Sequence, residues 1–178
     1  LAHLLRASRS VCEPPENYNT EIGLPLALLS MTASDEVGVF ELGTLRPGDI
    51  ALLAAILRPS TAVLTGVGPS HLGGFESLEA IADEKWSLVR AMEAPSVAFV
   101  NAGFPELAAR IDNAPCDVRT VGIERADLRG EVEAALPKLV VRVDEPPMRL
   151  ETPLLGDHNA SNVLLAAASA LYFGMSPT

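Results

Sequence analysis

The regular alternation of short Val-rich runs with longer amphipathic stretches most constrains what these 178 residues can fold into. The runs over 37–41, 61–67, 97–100, 118–122 and 139–143 have the length and residue types of strands. Between most of them lie segments with apolar residues at helical spacing. Strands separated by helices cannot pair as tight hairpins. Their stable arrangement is a parallel sheet with crossover helices packed on its faces. The pattern predicts helices over 24–31, 49–57, 77–92, 105–111 and 159–173, the tail of a helix over 1–10, and a weaker helix over 126–136. It predicts loops over 12–19, a Gly-rich loop over 68–74 and a Pro-rich irregular segment over 145–155. The expected fold is therefore α/β, a mostly parallel sheet flanked by helices. The 48% hydrophobic content is ample for a single core, and with aromatics at 4% it is Leu, Val, Ile and Ala that must fill it.

Charge narrows the partners. The formal net charge is -10, the only lysines are Lys85 and Lys138, and no basic cluster occurs. Phosphate backbones are held by clustered Lys and Arg, so the expectation is no nucleic-acid partner. Cys12 and Cys116 lack CxxC spacing, which fits free thiols in a reducing cytoplasm. No apolar run reaches the ~18 residues that cross a bilayer, so no membrane insertion is expected. No leader is recognised, and the opening Leu1 suggests a fragment of a longer chain.

Ligands of open parallel sheets bind beyond the carboxyl ends of the strands. Two polar residues fall there: Glu41, closing the run Val37-Gly38-Val39-Phe40, and His71, in the loop after 61–67. A carboxylate closing an apolar strand must be solvated, paired or bound to a cation. Alternatively, Glu41 caps the next helix and His71 is an ordinary loop histidine. Lys85 adds weight to a site. At about 100° per residue, Leu78, Ile81, Ala82, Leu88, Val89 and Met92 form one helix face, and Lys85 falls in its middle. Glu79, Asp83, Ser87 and Arg90 face the other way. Such a lysine snorkels to the surface, pairs with Glu41, or points into a ligand cleft.

Several ordered motifs together resemble the central domain of the Mur ligase family. They are Glu41-Leu42-Gly43, Gly48-Asp49-Ile50-Ala51, Arg58-Pro59, His71-Leu72, Gly74-Phe75, Ser77-Leu78-Glu79, Ala82 and Lys85. The run from Asn17 through Asn19 and Glu21-Ile22-Gly23 to Pro25 is similar to the branch that adds D-alanyl-D-alanine. Gly156-Asp157-His158-Asn159-Ala160-Ser161-Asn162 is similar to the family's adenine-side motif.

The resemblance implies a P-loop-type α/β domain from a ligase that uses ATP to make an acyl phosphate, which an amine then attacks. The implied substrates are UDP-N-acetylmuramoyl-tripeptide and D-alanyl-D-alanine. Two Mg2+ ions would neutralise phosphate charge, with Glu41 at one, His71 at the other, and Lys85 as a carbamylated lysine supplying an anionic oxygen. Burial of Lys85 would favour the deprotonated amine that reacts with CO2. His158, Asn159 and Asn162 would lie near the adenine, or form a helix cap, or both. Asn17 and Asn19 would belong to the substrate side.

Five positions depart from the family pattern. Thr20 replaces an Asn, Gly66 and Gly73 stand where an Asn and a Glu are common, and Asn101-Ala102-Gly103-Phe104 stands where Asn-Ala-Asp-Asp is usual. No Gly-Lys-Ser/Thr phosphate loop occurs in the 178 residues, so the chain is expected to be a central-domain piece, truncated before that loop and inactive alone. Two other readings stay open: a different amide ligase of the superfamily, of cyanophycin or folylpolyglutamate type, and a non-catalytic homologue that binds a nucleotide or a protein.

Overall fold

The computed structural model describes residues 1–15, 17–68 and 74–177. The chain runs α1 (Ala2–Leu5), β1 (Val11–Cys12), α2 (Gly23–Leu29), β2 (Val37–Gly38), α3 (Asp49–Leu57), β3 (Thr61–Leu64) and α4 (Leu78–Arg90). It continues through β4 (Val97–Asn101), α5 (Pro105–Ala108), β5 (Asp117–Gly122), β6 (Leu128–Ala134), β7 (Leu139–Val143), β8 (Met148–Thr152) and α6 (Asp157–Tyr172). β1 and β2 pair in parallel as a two-stranded sheet, with Val11 opposite Val37. The other strands form one sheet in the order β3-β4-β5-β6-β7-β8. Pairing is parallel from β3 to β6 and antiparallel from β6 to β8. The expected α/β class, mostly parallel and flanked by helices, is what is found.

β4 is the centre of the core, buried along its whole length. Its side chains alternate between faces, as the pleat requires. Ala98 and Val100 pack with Ile81, Trp86 and Val89 of α4. Val97 and Phe99 pack with Leu164, Leu165 and Ala168 of α6. Local signals place the helices that cover these faces. The Ser77 hydroxyl accepts a hydrogen bond from the Ala80 N–H at 3.1 Å and starts α4. Pro105 sits in the first turn of α5, where its missing N–H costs nothing.

Some expectations are corrected. Residues 126–136 are not a helix: β6 occupies them, with Gly130 opposite Val143 and Val132 opposite Val141. The segment 145–155 is not wholly irregular, since β8 forms there and pairs with β7. Of the run 37–41 only Val37–Gly38 is strand, although the Val39 N–H still reaches the Cys12 carbonyl at 2.9 Å. The helix expected over 105–111 stops at Ala108, and a 3-10 turn follows over Ile111–Asn113.

One consequence of this topology positions the site. β2 pairs on one side with β1, and β3 pairs on one side with β4. Among the described residues their other edges have no strand partner. Both strands line the same cleft, of about 1300 Å3.

Candidate functional site

Glu41 lies three residues beyond the carboxyl end of β2, in the cleft and exposed. The Asn19 amide donates to Glu41 Oε1 at 3.1 Å, so one carboxylate oxygen is oriented by protein. Asn19 is fixed in turn, because its carbonyl accepts the Gly43 N–H at 2.8 Å. The departure at Thr20 has a local account. Its hydroxyl accepts the Gly23 N–H at 3.2 Å and its carbonyl accepts the Leu24 N–H at 2.9 Å, which starts α2. Asn17 takes a left-handed backbone, φ +70°, a conformation asparagine tolerates well, and it also lines the cleft.

Lys85 comes from α4 and is half-buried, with its side chain among the cleft-lining groups. Burial pushes its ammonium below the usual lysine range, opposed in part by the negative field of Glu41. The lysine and the carboxylate are therefore electrostatic neighbours, as the inward helix position predicts. The buried arc of α4 is wider than the apolar pattern suggests. It runs from Glu84 through Ile81, Ala82 and Val89 to Trp86, while Leu78 is exposed. The helix is covered on two sides, by the sheet and by α3.

Asn162 of α6 lines the same cleft, whereas His158 and Asn159 are absent from its lining. These three residues do not cap the helix: the N-cap is Gly156, without a side-chain acceptor. Instead they bond one another across the first two turns. The Asn159 amide donates to the Leu155 carbonyl at 2.8 Å and lies 3.1 Å from the His158 ring, and the Asn162 amide donates to Asn159 Oδ1 at 3.3 Å. His158 and Asn162 are exposed. The structure thus brings together Asn17, Asn19, Glu41, Lys85 and Asn162 around one cleft. His71 and Gly73 lie outside the described residues.

Two buried polar residues, Glu84 and Asn101, were given no role from the sequence. Glu84 accepts the Ile50 N–H at 2.7 Å and the Gly48 N–H at 2.8 Å, so it, rather than Glu41, caps α3. A signal for it existed: Ile81 and Leu88 bracket it at i−3 and i+4, which places it at the edge of the apolar face. Asn101 closes β4 as Glu41 closes its own run. Its amide donates to the Thr65 carbonyl at 2.8 Å and its Oδ1 accepts the Gly103 N–H at 3.0 Å. Two departures from the family pattern meet here. The Phe104 ring lies so close to Gly66 that a Cβ at that position would fall 2.5 Å from it. The side chain missing at 66 makes room for the ring present at 104.

Comparison with known proteins places the chain by sequence and fold. The model of the Mur ligase middle domain matches residues 1–170. The UDP-N-acetylmuramoyl-tripeptide--D-alanyl-D-alanine ligase of Mycobacterium leprae is 33% identical over 194 aligned positions, covering 99% of this chain and 37% of the relative. The enzyme of the same name from Bacillus subtilis is 31% identical, covering 90% of this chain and 35% of its own length. A MurF crystal structure from Acinetobacter baumannii superposes with a TM-score of 0.90 at 25% identity, over 97% of this chain and 39% of the other. MurF from Thermotoga maritima in complex with ADP superposes at 0.84 with 26% identity, over 98% and 42%. The chain thus spans well under half the length of the relatives it matches. From the family match and the shared fold, this chain belongs to the Mur ligase middle-domain family.

Proposed function

We propose that these residues are the nucleotide- and metal-binding core of a longer cytoplasmic ligase. That protein adds D-alanyl-D-alanine to UDP-N-acetylmuramoyl-tripeptide in cell-wall precursor synthesis, through an ATP-derived acyl phosphate. The observation that carries this reading is the convergence of Asn19, Glu41 and Lys85 on one cleft at the open edges of β2 and β3. Sequence similarity across nearly the whole chain to ligases of that name supports the substrate assignment.

The donor set fits magnesium. Mg2+ is usually held by one or two carboxylates with substrate phosphates and water completing the shell. Glu41 offers one carboxylate with an oxygen left over after the Asn19 bond. A carbamate on Lys85 would supply a second anionic oxygen, and the lowered lysine value favours the free amine that takes up CO2. His71 is assigned to the second ion. When bound, the ions would offset phosphate charge during transfer. Asn19 orients Glu41, Lys85 supplies the second ligand, and the N-terminal end of α6, with His158, Asn159 and Asn162, reads the adenine edge. Asn17 and Asn19 lie toward the substrate side.

The open edges of β2 and β3 both border this cleft, and we assign to it a strand of the longer protein that leads into its phosphate-binding loop. The direct test is turnover by that protein. Phosphate release should require ATP, the UDP-linked tripeptide and D-alanyl-D-alanine together. Turnover that ignores the dipeptide but accepts glutamate or another amine would move the protein to a different ligase branch.

A further inference from the structure

Glu84 is 6% exposed, and among the described residues no salt bridge reaches it. A lone buried carboxylate is costly unless hydrogen bonds offset the loss of water. Here they come from one place. Oε1 accepts the Ile50 N–H at 2.7 Å, Oε2 accepts the Gly48 N–H at 2.8 Å, and the Thr44 hydroxyl approaches Oε1 at 3.4 Å. All three donors belong to the stretch that runs from Glu41 into α3.

A helix start is ordinarily capped by its own N-cap side chain. The N-cap of α3 is Gly48, which has none. Asp49 cannot substitute, because its carboxylate turns back to the Leu45 and Arg46 N–H groups at 2.9 and 3.0 Å. The acceptor is supplied instead by the neighbouring helix α4, so the cap is also a cross-link. One end lies next to Lys85 in sequence, and the other lies in the segment that Glu41 begins. We propose that Glu84 is a positioning residue that sets the approach of the Glu41 segment to Lys85. This rests on the metal-site reading above. The carboxylate is not among the cleft-lining groups; it acts by fastening α4 to residues 44–50, which fixes two ligand-bearing elements relative to each other.

The test uses the full-length protein with Glu84→Ala and Glu84→Gln, which keeps one acceptor and loses the other. Leu53→Ala serves as a control for simple loosening of α3, because Leu53 is buried there and the cap's hydrogen bonds come from Thr44, Gly48 and Ile50 instead. Two quantities are read: Mn2+ binding in the presence of ADP by electron paramagnetic resonance, and the Mg2+ concentration giving half-maximal turnover. Glu84→Ala should weaken Mn2+ and raise the Mg2+ requirement on the order of tenfold, with Glu84→Gln between it and wild type. Leu53→Ala should lower the melting temperature while leaving both quantities within about twofold of wild type. Wild-type metal behaviour in Glu84→Ala, or an equal shift in Leu53→Ala, overturns the proposal. If Glu84→Ala does not fold, the same criteria are applied to Glu84→Gln. Glu41→Ala separates the two levels. If it weakens Mn2+ while the Glu84 variants do not, the positioning role alone fails. If it leaves Mn2+ unchanged, the metal site itself fails, and the positioning role with it.

Discussion

Lys85 sits on the inward arc of α4, its ammonium is held below the ordinary lysine range by burial, and Glu41 is its charged neighbour. Its replacement by alanine in the longer protein should lower ligation by at least about a hundredfold, the loss expected when a ligand for a catalytic ion is removed. The melting temperature should change little, because the side chain is only half-buried. A short-chain carboxylic acid should restore part of the activity, and near-normal ligation by the alanine variant would refute the assigned role. Asp83, on the opposite side of the same helix, gives a pH prediction. Its carboxyl is held below the usual range, chiefly by the Arg110 guanidinium at 3.1 Å and also by Arg90 at 3.0 Å. A depressed carboxyl stabilises the fold at pH above its unfolded value, and that contribution disappears as pH falls through the folded value. Arg110→Leu should therefore reduce stability at neutral pH and narrow its difference from wild type in acid, as read by urea melts at several pH values. Lys85 was legible in the sequence because a cation inside an apolar stripe is conspicuous. Glu84 was not, because an acidic residue at the margin of such a stripe looks like the start of the solvated face.

The elements divide in the same way. The helices over 77–92 and 159–173 were readable to within two residues, since each carries its own periodicity and α4 its own serine cap. The expected helix over 126–136 failed for a tertiary reason. Its Ala, Glu and Leu favour a helix locally, but the alternation Leu128, Gly130, Val132 against Arg129, Glu131, Glu133 matches a strand. Pairing with β7 decides between them. The outward residues then form ion pairs across the meander: Arg142 with Glu131 at 3.0 Å and Arg149 with Glu133 at 3.0 Å. Each such exposed pair contributes under about 1 kcal/mol, so register is set mainly by the inward face. Gly130 belongs to that face. A Cβ there would fall 2.6 Å from Leu164 Cδ2 and 2.8 Å from Val141 Cγ1. Gly130→Ala should cost about 1–3 kcal/mol by overpacking the contact between β6 and α6. Denaturant unfolding measures it, and a variant as stable as the parent would show that α6 shifts without cost.

At the scale of the whole molecule, the doubly covered sheet was readable from the alternation of elements, while the break between its two parts was not. Nothing in residues 37–64 announces that β2 and β3 lie in separate sheets. The separation also bears on nucleotide affinity. A phosphate-binding loop holds most of the charge of ATP, and these 178 residues contain no Gly-Lys-Ser/Thr sequence. The chain alone should bind Mg-ATP at least about a hundredfold more weakly than the longer protein, a deficit on the order of 3 kcal/mol. Titration calorimetry showing equal affinity would place the main phosphate contacts within these residues.

The slot between β2 and β3 has a further consequence, for behaviour in solution. Each strand offers one edge of backbone donors and acceptors with no strand opposite it among the described residues, and such edges are templates for an extended peptide of suitable register. This chain expressed alone should therefore be adhesive along that seam, with its own copies the nearest source of strands. Light scattering should show association that grows with concentration. A synthetic peptide copying the strand proposed for that position should suppress it by filling the seam, whereas a scrambled peptide of the same composition should not.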